Sequence, residues 1–280
     1  MMCKSVLVRV VKALLGSFLV LLLLIPVSLP AADVSELDRI VKDGKILIGM
    51  ELVMKKRSFI DDATKKPAGI EVDVIDEMVK RMGVKAEIID LPWDGLIPAL
   101  VSGRIDVICT GMFRLEKRQL SVDFSNPMWT FGQDLMVKKS DNRIKKLEDA
   151  NKPEIKVAAT LGGAGEPASR QYLPKAKVMT FPSGDQSGLA LISGQVDVWF
   201  DDDFYHAIYA EDHADLKQVP GTSVMQTATG MAVRRGSDLL PWINLYLYNT
   251  KRAGLFNDLL KKWRLPVSMN APWDPLSASK

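Results

Sequence analysis

A nine-residue phrase occurs twice in this chain. ALVSGRIDV at residues 99–107 returns as ALISGQVDV at residues 190–198, with six identical positions and starts 91 residues apart (190 − 99). Each copy runs an apolar helical stretch into Ser-Gly, where glycine suits a helix end. An aspartate follows, and then an apolar run that reads as a buried strand, VIC in one copy and VWF in the other. A chain that repeats helix, tight turn, aspartate and strand is held to two similar α/β units. Asp106 and Asp197 sit in the turns and are expected to fix them rather than to touch a ligand.

The flanking segments extend the pattern. KILIGM (45–50) follows the turn signal Asp43-Gly44 and reads as a buried strand. GIEVDVIDEMVKRMG (69–83) has apolar residues at 70, 74, 75, 78, 79 and 82, a helical spacing that Gly83 ends. KAEIIDL is a second strand, WDGLIPALVSG a short helix with Asp94 as candidate cap, and RIDVICTG a third strand. The order restarts with IKVAATLGG (strand), GEPASRQYLP (helix), KVMTF (strand), DQSGLALISG (helix) and QVDVWFDD (strand). After residue 228 come a further strand, GMAVRRG, and a largely helical close. This is the grammar of two mostly parallel sheets flanked by helices. Residues 33–131 and 229–280 are expected to form one lobe and 132–228 the other. The chain would cross near 130–134 and again near 225–230, and two crossings make a hinge. Ligands sit at the carboxyl ends of parallel strands. CTG (109–111) and FDD (200–202) should therefore face a cleft between the lobes.

The ends and the charge narrow the classes of function. Lys4, Arg9 and Lys12 precede the uncharged run ALLGSFLVLLLLIP, which is too short to span a bilayer comfortably, and small residues follow near Ala31 and Ala32. Residues 1–32 read as a secretory signal peptide, hence a periplasmic location. Cys3 lies before the apolar run, so it is no lipid-attachment site after it. The whole chain has 37 Lys+Arg and 34 Asp+Glu; without the three basic residues of the signal the balance is 34 against 34. That neutrality offers nothing to a nucleic-acid partner. Cys109 is the one remaining cysteine, read as a small buried hydrophobe. His206 and His213 have no nearby cysteine, so neither a metal site nor a cofactor is expected.

GIEVDVIDEMVKRMG, WDGLIPALVSGRIDVICTGMFRLEKRQLSVDFSNPMW, the GGAGE turn, SGQVDVWFDD and LFNDLLKKW together resemble the polar amino acid family of periplasmic solute-binding proteins that serve ABC importers. The block GMFRLEKRQLSVDFSNP is the most specific part. The resemblance implies a two-lobed type II periplasmic binding protein fold, a small amino acid or amine as ligand, an inner-membrane permease as partner, and a monomer. It also implies site residues. Arg118 would grip the ligand carboxylate, since a guanidinium pairs both oxygens at once. Asp202 would accept the ammonium, and the backbone of Thr110 and Gly111 would touch both groups. Trp93 would cover the ligand. Glu51, after the first strand, would favour a cationic side chain, and Asp201 would rim the site.

Two positions depart from the family pattern. Gly163 and Ala164 replace the usual hydroxyl in the turn that opens a helix, leaving only backbone donors there. Phe113 stands where many relatives have Thr or Ser. Either the carboxylate grip is weaker or the ligand is not a standard α-amino acid. An alternative of a different class is a periplasmic enzyme similar to cyclohexadienyl dehydratases, with Glu166 as general acid if burial raised its pKa. An accessory solute-binding protein for a non-amino-acid ligand is a further alternative.

Overall fold

The structure is a computed structural model that describes residues 35–266 and 269–270. The signal segment expected at 1–32 lies outside the described residues. The first part of the chain builds α1 (Glu36–Asp43), strands β1 (Lys45–Met50), β2 (Val53–Met54), β3 (Ser58–Ile60) and β4 (Pro67–Ala68), and helix α2 (Ile70–Met82). Then come β5 (Lys85–Asp90), α3 (Leu96–Val101), β6 (Val107–Ile108), α4 (Glu116–Gln119) and β7 (Val122–Phe124). The middle of the chain builds β8 (Thr130–Lys138), α5 (Leu147–Ala150), β9 (Lys156–Thr160), α6 (Gly165–Tyr172), β10 (Lys177–Phe181) and α7 (Gly184–Ser193). It continues with β11 (Val198–Asp202), α8 (Asp203–Asp212), β12 (Leu216–Gln218) and β13 (Val224–Ala228). The chain then returns through β14 (Ala232–Arg234) and closes on α9 (Leu239–Arg252) and α10 (Leu255–Lys262).

Two main sheets result. The first has the order β5-β1-β6-β14-β7 and the second β10-β9-β11-β8-β12, with β13 also on β8. A small sheet, β2-β3-β4, stands beside the first. The parallel pairs are those the repeated units create: β1 with β5 and β6, β9 with β10 and β11. The other edges are antiparallel, β14 on β6 and β7, and β8 on β11, β12 and β13. The sheets are therefore more mixed than expected. The nine-residue strand β8 escapes the sequence pattern because it buries Gln133 and Asp134 along with its apolar residues.

The repeated phrase does the same work twice. Gly103 (φ 76°) and Gly194 (φ 79°) take the left-handed conformation that ends each helix. Asp106 Oδ2 accepts the backbone N–H of Leu47 at 2.9 Å, and Asp197 Oδ2 accepts that of Lys156 at 2.9 Å. Each aspartate's own N–H returns a bond to the same residue's carbonyl, Asp106 at 2.8 Å and Asp197 at 2.9 Å. Arginines neutralise both carboxylates, Arg39 and Arg234 at Asp106 and Arg143 at Asp197. Each turn is thus clamped to the strand that leads its sheet.

Helix α2 buries Ile70, Val72, Val74, Ile75, Met78 and Val79, and Gly83 closes it at φ 75° with its N–H on Val79 O. Asp94 caps nothing: α3 starts after a 3₁₀ turn (Trp93–Gly95), and its cap residue, Gly95, has no side chain to offer. The sheets change over at residues 125–129, just before the first expected crossing, and at 229–231, at the end of the second, because Thr130 and Ala228 already pair within the second sheet. The two crossings run side by side: Thr229 N–H donates to Trp129 O and Met128 N–H to Thr229 O, both at 2.8 Å. Cys109 is a free, buried thiol, as its apolar setting implies.

Candidate functional site

A narrow cavity lies between the two sheets, at the carboxyl ends of β1, β9 and β11 and beside the segment that follows β6. It is lined from the first lobe by Glu51, Arg57, Trp93, Gly111 and Phe113, and from the second by Thr160, Gly163, Ala164, Gly184, Asp201, Asp202 and Tyr205. Its free volume is about 30 Å³, room for a water or two. Most of the expected residues meet here, but Arg118 and Thr110 stand outside the wall, and Asp202 and Gly111 already have internal partners.

Asp202 ends β11 and caps α8. Its Oδ1 accepts the N–H of Tyr205, and its Oδ2 accepts Arg57 Nη1 at 3.0 Å. The expected ammonium acceptor thus already holds an internal cation, in the cavity wall. Gly111 is in the wall too, but its N–H is donated to Glu71 Oε1 at 2.8 Å rather than into the cavity. Thr110 is not in the wall: its Oγ1 accepts Glu51 N–H at 3.2 Å and lies 3.3 Å from Ser58 Oγ, tying the Glu51 loop in place behind it.

Arg118 is buried yet stands outside the cavity wall. It lines the adjoining outer groove, its guanidinium 5.4 Å from the Trp93 ring centroid. Its Nη1 donates to Phe113 O at 3.0 Å and its Nη2 to Gly162 O at 2.9 Å, one carbonyl from each lobe. Burial lowers its pKa to about 10, and it has no carboxylate partner among the described residues. Arg118 and Asp202 therefore do not face each other across one cavity here; Arg118 bridges the two lobes in the adjoining groove and Asp202 is paired inside.

The remaining wall is acidic and aromatic. Burial drives the Glu51 carboxyl up to about 7 against the pull of Arg57. Asp201 is raised by burial and by Asp202, while Thr160 Oγ1 donates to it at 2.7 Å. Phe113 pairs its backbone with Thr229 and packs edge-on to Phe131 at 6.2 Å. At Gly163 a Cβ would come within 2.9 Å of Thr160 O, so a larger residue in that turn would press on β9.

Arg57 is the residue that sequence reading missed. It lies in a run of three cations, Lys55-Lys56-Arg57, that reads as solvated surface. Its guanidinium is buried instead, beside Asp202 and Glu71, whose charges outweigh the burial and hold its pKa up. Tyr205 was missed with it, although the DDD run before FYH is a legible helix start. Glu166, the alternative catalytic acid, accepts Gly162 N–H at 3.0 Å and pairs with Arg170 at 3.2 Å in the outer groove, not in the cavity. No cluster of metal-binding side chains occurs among the described residues, and no helix there is long and apolar enough to cross a membrane.

Comparison with known proteins agrees with this architecture. The L-cystine-binding protein TcyJ of Escherichia coli K12 is 29% identical over 233 residues, 83% of this chain and 87% of that one. The solved structure of the ancestral amino acid-binding protein AncCDT-1, a precursor of cyclohexadienyl dehydratase, matches with a TM-score of 0.75 and 36% identity over 82% of this chain and 99% of that one. An ancestral arginine-binding protein bound to arginine matches with a TM-score of 0.73 and 34% identity over 79% of this chain and 98% of that one. The type II periplasmic binding protein fold follows, and the match of residues 46–266 to the family model makes this chain a member of the bacterial extracellular solute-binding proteins, family 3.

Proposed function

We propose that this protein is the periplasmic substrate-binding component of an ABC importer and captures a small amino acid that carries a cationic group. The observation that carries this reading is the charge of the cavity wall. Three carboxylates, Glu51, Asp201 and Asp202, stand there against one guanidinium, Arg57. A buried excess of negative charge is costly until a cation offsets it. Arg118 supplies the complement beside the cavity, a buried cation whose two donors rest on backbone carbonyls and which gains by exchanging them for a carboxylate. The arginine bound to one similar structure supports the same class of guest.

Capture would proceed by closure of the two lobes about the paired crossings at 125–129 and 229–231, with 1–32 directing export. An inner-membrane permease would receive the guest, and the binding protein would act as a monomer without catalysing a reaction. Glu166, the acid on which the dehydratase alternative depends, is held by Arg170 and Gly162 away from the cavity, which weighs against that alternative.

The test is isothermal titration of the mature protein with arginine, lysine, ornithine, glutamine and cystine. One cationic amino acid is expected to saturate one site per chain. Glu51→Gln is expected to weaken it more than about tenfold, as loss of one partner of a buried charge pair does. Heat from none of the panel would reject the reading.

A further inference from the structure

We infer that Arg57 is a specificity-determining residue: paired with Asp202 inside the cavity, it stands in for a second positive group, so the site takes a guest with one cationic group and does not require an ammonium beside the guest's carboxylate. The inference rests on the reading of the cavity as a site for a small cationic solute and specifies which one it prefers.

Arg57 is seated as a bound cation would be. Its Nη1 is 3.0 Å from Asp202 Oδ2, and the other oxygen of Asp202 is already held by Tyr205 N–H. Its Cζ lies 6.0 Å from the Phe204 ring centroid and 5.9 Å from that of Tyr205, within reach of aromatic attraction. Beneath it Gly111 leaves the space open: a Cβ there would meet the guanidinium at 2.7–3.0 Å. Acid, aromatic faces and a cleared backbone surface together make a built seat, and this chain fills it with its own side chain. Displacing Arg57 would strand a buried guanidinium, and removing one partner of a buried pair is strongly destabilising.

What remains for a guest is set by the other two carboxylates. Glu51 and Asp201 line the same cavity and have no ion-pair partner among the described residues. They also act on one another, since Asp201 is among the groups that raise Glu51 towards about 7. Two buried carboxyls that repel one another do not both ionise readily, so a single cationic group on a guest offsets them. Both oxygens of Asp202 are already engaged, one by Tyr205 N–H and the other by Arg57, so a second cation beside it would have to displace Arg57.

The experiment compares each cationic amino acid with its counterpart lacking the α-amino group, by titration calorimetry on the full mature chain: arginine with 5-guanidinopentanoate, lysine with 6-aminohexanoate, ornithine with 5-aminopentanoate. For whichever amino acid binds, the counterpart is expected to bind within about fivefold. A loss of more than about thirtyfold, the size expected when one partner of a buried charge pair is removed, overturns the inference while leaving the proposed function standing. If no amino acid and no counterpart binds, the reading of the site itself fails. Arg57→Gln, checked for folding by near-UV circular dichroism, is expected to restore dependence on the α-ammonium, with the counterpart now at least about thirtyfold weaker. An unchanged ratio in a folded variant overturns the inference. Should that variant not fold, the wild-type comparison decides alone.

Discussion

Residue by residue, the cavity is governed by charges that have lost their water. Glu51 and Glu71 have ordinary values of 4.5, and burial lifts both to about 7. Between those values the folded protein holds protons that the unfolded chain has released, so their stability contribution is present below about 4.5 and lost as pH rises through about 7. The melting temperature of the unliganded protein should therefore fall across that window, and Glu71→Gln should flatten the fall in a calorimetric pH series. Affinity for a cationic guest should run the other way, rising with pH as Glu51 ionises. Opposite slopes for the two quantities are the signature; parallel slopes would deny Glu51 its role. Gly111 is constrained twice, by φ 66° and by the guanidinium above it. Gly111→Ala should cost about 2 kcal/mol or more in chemical denaturation.

Helix α8 is the element that joins site and surface. Asp202 caps its start, while Glu211 and Asp212 sit in its last turn, where the helix dipole disfavours acids. Cations from the loop after β2 offset them: Lys55 pairs with Asp212, Lys56 with Glu211 at 2.6 Å, and Arg57 with Asp202. One tripeptide of the first lobe thus faces one helix of the second. The two lysine pairs are partly exposed, so each is worth little and is screened by salt. The double reversal Glu211→Lys, Asp212→Lys should open the unliganded protein, read as a larger radius of gyration in small-angle X-ray scattering. Raising salt from about 0.05 to about 0.5 M should move the wild type the same way but less.

At the scale of the whole molecule, the paired crossings and the cross-cleft contacts of Arg57 and Arg118 describe a closed arrangement. A guest that binds only the folded protein raises stability by mass action, about 2.7 kcal/mol at a hundred times its Kd. Thermal melting with and without the cognate amino acid should show that rise. Incubation with prephenate or arogenate should yield no aromatic product, because Glu166 is held in the outer groove.

Local rules carried much of this fold. The repeated helix–glycine–aspartate–strand phrase, the stop at Gly83 and the parallel core strands follow from periodicity and from backbone preferences that act within a few residues. So does the placing of Gly111 and Asp202 at strand ends that meet a cleft, whereas Glu51, Gly163 and Ala164 are expected there from the family resemblance. Strand β8 and the side-chain partners inside the cleft depended on contacts far apart in sequence. Arg57 and Asp202 are 145 residues apart, and nothing in KKR distinguishes the one cation that turns inward from the two that stay in water. Only the approach of the lobes, which brings Asp202, Glu71 and the open face of Gly111 around that guanidinium, makes its burial favourable.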